Sequence, residues 1–184
     1  MGLNIEIKSI SGLTDIERHA IMDFTCGNTD IDLYLQEDAL SDYVCNLTRT
    51  FILFLDDKVA GYFTLTSDRA LITRKSTVSR KLPSHPHFTF HRDSIPALQI
   101  HHFAIAKSLQ RQGSGIVLMN YLLAFIKIKI LPNVGATLLT VYSLRDAVGF
   151  YSKIGFEKTG CHSDVNVNMA LVLSEVLDDF NLKQ

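Results

Sequence analysis

Residues 109–119 read LQRQGSGIVLM. They follow the apolar run FAIA (103–106) and open a long apolar segment. Glycine weakens a helix interior by ~1 kcal/mol against alanine. Gly113 and Gly115 therefore predict a place where the backbone itself must be approached. A helix start offers unpaired N–H groups and the positive end of the helix dipole, which together suit a phosphate. Two common phosphate motifs do not fit. The dinucleotide fingerprint G-x-G-x-x-G lacks its third glycine here, and the triphosphate loop G-x-x-x-x-G-K-S/T lacks its lysine. What remains is Gln110-x-x-Gly113-x-Gly115, set between a strand and a helix.

Working outward, ALQIHHFAIA (97–106) reads as a strand, and a helix is expected from about Gly113 to Lys129, broken by Pro132, Asn133 and Gly135. ATLLTVYS (136–143) reads as a buried strand, residues 144–153 as a helix closed by Gly155 in the C′ position, then strands from 157 and over 165–173, and a short final helix. Upstream, residues 4–10 alternate as a strand. Thr14 or Asp15 caps a short helix, and Asn28, Thr29 or Asp30 caps a second whose apolar spacing is imperfectly helical. Residues 49–66 read as a hairpin with its turn at 56–58. Strand–helix alternation late in the chain and a strand meander early argue an α/β (α+β) domain around one mixed sheet.

The chain has 184 residues, 47% of them apolar and 20% charged, and a net charge of −1. That suits a single domain, spanning 1–184, with no global pull toward nucleic acid or membrane. The three cysteines (Cys26, Cys45, Cys161) form no CxxC pair and read as reduced thiols of a cytoplasmic protein. The N-terminus lacks a signal-peptide h-region, and YLLAFIKIKIL is interrupted by lysines, so no membrane partner is expected. Residues 67–95 read as a basic connector. Arg69, Arg74, Lys75, Arg80, Lys81 and Arg92 fall here with no acid from 69 to 92, beside His85, His87 and His91. A metal on the His85/His87 pair would need further ligands that the spacing does not supply, so no metal is assigned.

Gln110-x-x-Gly113-x-Gly115 resembles the acetyl-CoA-binding signature Q/R-x-x-G-x-G/A of the GNAT superfamily of N-acetyltransferases. Downstream, AVGFYSKIGF matches the family's A-x-x-x-Y-x-x-x-G-F through Ala147, Tyr151, Gly155 and Phe156. Two markers in order, with a strand between them, carry the resemblance over at least residues 49–173. It implies a largely antiparallel sheet of about seven strands, flanked by helices, whose central parallel strands (97–106 and 136–143) splay around acetyl-CoA as co-substrate. Main-chain groups of Phe103, Ala104 and Ile105 would meet the pantetheine arm like an added strand. Gln110, Arg111, Gln112, Gly113, Ser114, Gly115 and Ile116 would form the pyrophosphate cradle. The resemblance also implies direct acetyl transfer to a primary amine in a ternary complex. In it, Tyr151 is the acid that protonates the departing thiolate, and His101 or a water is the base that takes the amine's proton. On a regular strand His102 points to the opposite face, so one of the pair faces the site and the other packs against a helix, and a bulge could exchange them. One departure stands out: many relatives carry Asn seven residues before the tyrosine, where this chain has Leu144, leaving that contact missing or supplied by Ser143.

The first half is similar to the acetyltransferase toxins of bacterial toxin–antitoxin modules, through Phe24, Cys26, Gly27, Leu35, Ala39, Arg49, Thr50 and Gly61. That similarity implies aminoacyl-tRNA as the acceptor, a tRNA-facing role for the basic connector, and an antitoxin partner. A small free amine as acceptor, a non-catalytic acyl-CoA-binding module, and a homodimer all remain open on the residues alone.

Overall fold

The computed structural model describes residues 5–82, 94–162 and 165–175. Seven strands form one sheet in the order β1-β2-β3-β4-β5-β7-β6. They are β1 Ile5–Ser9, β2 Arg49–Leu55, β3 Lys58–Leu71, β4 Ser94–Ile105, β5 Leu138–Leu144, β6 Glu157–His162 and β7 Asn166–Val172. The helices are α1 Asp15–Met22, α2 Thr29–Leu33, α3 Ala39–Val44, α4 Thr77–Lys81, α5 Ser114–Phe125 and α6 Val148–Ile154. The pairs β1/β2, β2/β3, β5/β7 and β6/β7 are antiparallel. β4 and β5 run parallel through Ala97↔Leu138 to Ile100↔Val141, and both strands continue past that ladder. The seven-stranded mixed sheet is the one expected.

The chain forms two compact units, residues 1–66 with 101–122 and residues 67–100 with 123–184. In the first, Thr14 caps α1 by a full capping box with Glu17, and Asn28 caps α2 by accepting from the N–H groups of Asp30 and Ile31. α2 and α3 are joined by a π turn over Tyr34–Asp38, in which Ala39 N–H reaches back to Tyr34 C=O. That inserted residue explains the imperfect helical spacing. Ile10, Leu35, Ile52, Phe54, Tyr62 and Ala104 form the buried centre of this unit. Gly61 is required at its place in β3, because a Cβ there would lie 2.4 Å from the Ala104 carbonyl oxygen.

In the second unit Ala70, Ile72, Val78, Ala97, Leu138 and Val172 make the core. β3 extends to Leu71, well past the expected end at 66, so the presumed connector begins as strand. Asp68 makes this extension possible: its carboxylate accepts from the Thr140 hydroxyl (2.7 Å) and the Arg69 N–H (2.6 Å). α4 is stapled by Lys81, whose ammonium contacts Glu157 at 2.6 Å and Glu175 at 3.3 Å. α6 starts later than expected because Leu144 still pairs with Asn166 in β5, and Gly155 closes it in the left-handed region at φ 108°. A second π turn, Ile126–Ile130, ends the long helix that begins at Ser114. His85, His87, His91, Pro83, Pro86 and Arg92 lie outside the described residues.

Candidate active site

The strand-to-helix turn lies in the first unit. β4 delivers Phe103, Ala104 and Ile105, with Ala104 buried and its neighbours half-buried. A short helical turn over Lys107–Leu109 follows, and α5 starts at Ser114. Between them Arg111 (φ 60°) and Gly113 (φ 82°) take left-handed conformations, the kind of alternation that aims successive N–H groups at one concavity. The Gly113 carbonyl accepts from Ile116 and Val117, so the N–H groups of Ser114 and Gly115 precede the first bonded turn of the helix. No atom lies within 4 Å of a Cβ built on Gly113, so this glycine answers a backbone need rather than crowding. The bare turn before a 12-residue helix fits a pyrophosphate.

Gln110 braces the turn from beneath. Its side-chain amide donates to the Cys26 carbonyl at 2.7 Å and to the Ile105 carbonyl at 2.9 Å. Lys107 N–H donates to the Thr25 carbonyl at 2.8 Å, and Gln112 donates to Ser108 C=O. The segment Phe24–Gly27 is itself fixed by Asp32, which accepts from the Thr25 hydroxyl (2.7 Å) and the Cys26 N–H (2.8 Å). Phe24 packs edge-on against Tyr62. The Cys26 thiol, pushed up to about 11 by burial and then by Asp32, is an inert structural group. Asp32 was not singled out from sequence; an acid four residues after the helix cap Asn28 was its only signal. The other positions of toxin similarity are structural as well. Leu35 and Ala39 are buried, Thr50 bonds Thr64, and Arg49 donates to the Tyr43 and Thr48 carbonyls.

His101 is exposed and His102 half-buried. Their rings meet edge-on, Nδ1 to Nδ1 at 2.9 Å, rather than parting to opposite faces as strict alternation predicts. Nδ1 lies so near the backbone that adjacent rings can touch around the strand edge. His102 stacks on Tyr34 at 3.9 Å, and the Tyr34 hydroxyl donates to the Asp42 carboxylate and contacts the Thr48 hydroxyl. Burial first, then His101, pushes His102 down to about 4, so it is neutral at physiological pH.

Tyr151 belongs to the second unit. It is 7% exposed, packed edge-on to Phe150 and Phe156, and its hydroxyl has no hydrogen-bond partner among the described residues. Burial raises its pKa well above the ordinary phenol value. Leu144 is exposed, and Ser143 is buried with its hydroxyl donating to the Leu144 carbonyl. Arg74, Lys75 and Arg80 are exposed and form no ion pair among the described residues, whereas Lys81 is engaged by its two glutamates. No group of three His, Cys, Asp or Glu among the described residues could hold a metal, and no described helix is long and apolar enough to cross a membrane.

Residues 88–170 match the family described as Acetyltransferase (GNAT) domain. A tRNA-acetylating toxin of Mycobacterium tuberculosis (strain ATCC 25618 / H37Rv) is 25% identical over 139 residues, 74% of this chain and 78% of that protein. Among solved structures, AtaT complexed with acetyl-methionyl-tRNAfMet superposes with a TM-score of 0.72 at 23% identity, over 96% of this chain and 99% of that one. A Tyr-to-Phe mutant of AtaT bound to the C-terminus of the antitoxin AtaR gives 0.72 at 20% identity, over 98% and 99%. These structures share the fold described above. The phosphate-ready turn and the tyrosine helix both lie inside the segment that is similar to the GNAT acetyltransferase domain.

Proposed function

We propose that this N-acetyltransferase moves the acetyl group of acetyl-CoA onto the amino group of an aminoacyl-tRNA, as the toxin of a toxin–antitoxin pair. One observation carries the proposal: the toxin-like segment Phe24–Gly27 is bonded directly to the coenzyme turn, through Gln110 to Cys26 and Lys107 to Thr25. The similarity to toxins and the coenzyme signature are thus parts of one structure in this chain. The M. tuberculosis relative, named for tRNA acetylation, supports the acceptor, and an antitoxin partner is proposed by analogy with AtaT. Exposed Arg74, Lys75 and Arg80 supply cations for phosphates.

When bound, acetyl-CoA supplies an acyl group activated as a thioester. N–H groups of 111–116 would hold its pyrophosphate, and the main chain of Phe103, Ala104 and Ile105 its amide-bearing arm. His101, open to solvent in the second half of β4, would take the amine's proton. Tyr151 would hold a proton for the departing sulfur. Its burial keeps the phenol protonated at neutral pH, and no described residue engages its hydroxyl.

The test is mass spectrometry of an aminoacyl-tRNA pool incubated with protein and acetyl-CoA, with a small primary amine in parallel. Acetylated aminoacyl-tRNA should form, and its yield should fall steeply as salt rises. Reversing the charges of Arg74, Lys75 and Arg80 should suppress it while sparing the small amine. Failure to label any charged tRNA at low salt rejects the tRNA reading and leaves a small-amine acetyltransferase.

A further inference from the structure

We infer that His102 is a positioning residue: its Nδ1 accepts a hydrogen bond from the Nδ1–H of His101, leaving the Nε2 lone pair of His101 as the base. This rests on the reading of His101 as the group that takes the amine's proton.

The two Nδ1 atoms are 2.9 Å apart, so one must donate and the other accept. Suppose His102 donated. The remaining proton of neutral His101 would then sit on Nε2, and its only lone pair would face His102. Protonating His101 would bring two N–H groups face to face at that distance. The opposite arrangement survives both states. With Nδ1–H of His101 donating to His102, the amine's N–H bond breaks, the proton forms a bond to Nε2 of His101, and the nitrogen keeps its electron pair for attack. The resulting imidazolium still donates through Nδ1 to a neutral ring.

His102 is built to stay that neutral acceptor. It lies 3.9 Å from the Tyr34 ring at an interplanar angle of 25°, and Tyr34 is anchored through its hydroxyl to Asp42 and Thr48. Tyr34 opens the π turn Tyr34–Asp38, and such turns are rare and concentrated at functional sites. Among the described residues, the titratable groups facing the histidine pair are Tyr34 from the π turn, Tyr62 from β3 and Asp42 from α3, and none of these is a cation. A neighbour that fixes the tautomer of a base is a recurrent device, because only one tautomer presents the reactive lone pair.

Nitrogen-15 NMR of the imidazoles in the free protein reads the tautomer directly, with His101→Ala giving the assignment. We expect His101 protonated at Nδ1 in the wild type and in His102→Asn, whose amide oxygen can replace the acceptor. In His102→Phe, which keeps the stack on Tyr34, His101 should become a tautomer mixture. With an aminoacyl-tRNA pool as acceptor, His102→Phe should lower kcat roughly tenfold, a fraction of a full general-base contribution. It should also move the acidic limb of the rate–pH profile to lower pH and leave the KM for acetyl-CoA unchanged. Asn should restore both. A wild-type His101 protonated at Nε2, or a Phe variant with the wild-type limb, overturns the inference. His101→Ala keeping that limb overturns instead the reading of His101 as base, whatever the tautomer.

Discussion

Replacing Gln110 by alanine removes two hydrogen bonds at once, 2.7 Å to Cys26 C=O and 2.9 Å to Ile105 C=O. Hydrogen bonds of this kind contribute about 0.5–1.5 kcal/mol each. Both carbonyls are near solvent, so water replaces part of what is lost and about 2 kcal/mol is the expected total. For a chain of 184 residues that corresponds to a melting point lower by roughly 4–8 °C. The loss falls where the segment Phe24–Gly27 meets the turn, so coenzyme binding should weaken along with stability. Gln110→Arg keeps donors at the same place and should stay near wild type, while Gln110→Glu has no donor to offer and should do worse than alanine. Differential scanning calorimetry with and without acetyl-CoA measures both effects, since preferential binding to the folded state raises the melting point. Wild-type melting and a wild-type coenzyme shift in Gln110→Ala would refute the bracing role.

Gly113→Glu should abolish the acetyl-CoA melting shift by placing charge at the turn; on its own it should destabilise the fold by only about 1–2 kcal/mol, for the left-handed φ, because the space beside Gly113 is open. Tyr151→Phe should keep the fold and coenzyme affinity while lowering turnover ~100-fold in a steady-state assay. His102 titrates at about 4 when folded and near 6.5 when unfolded, so the unfolded chain binds its proton more readily. Its contribution is complete above pH 6.5 and lost as pH falls from there to about 4. The full shift would be ~3 kcal/mol, and solvent screening of this half-buried ring reduces it to about 1–2 kcal/mol. Urea titrations across that window should give a flatter profile for His102→Phe.

The turn at 109–116 was legible because its needs are local: glycine for the backbone, a strand before it and a helix after it. The strand order past β3 was harder to read. Ser67, Asp68 and Arg69 look like a turn in sequence, and only the Thr140 hydroxyl, seventy-two residues away, makes Asp68 a strand residue. The basic stretch read as a set of equivalent cations, yet Lys81 is held by Glu157 and Glu175 while Arg74, Lys75 and Arg80 are not. Sequence lists charges without their partners. The histidine pair was visible as HH in a strand, but its packing depends on Tyr34, which arrives from the distant π turn. The role of Gln110 was hidden similarly, since half of its bonding lies at Cys26.

The π turn at Tyr34–Asp38 makes chain length a specification in its own right. Losing one codon there would let α2 and α3 merge into a single regular helix, locally the more comfortable conformation. Everything ahead of the deletion would then be turned by about 100° about the helix axis. Asp32 would swing away from Thr25 and Cys26, and the carbonyl that Gln110 grips would go with them. This segment should therefore absorb many substitutions and few deletions. An in-frame deletion scan compared with an alanine scan over 29–44 would make that contrast measurable.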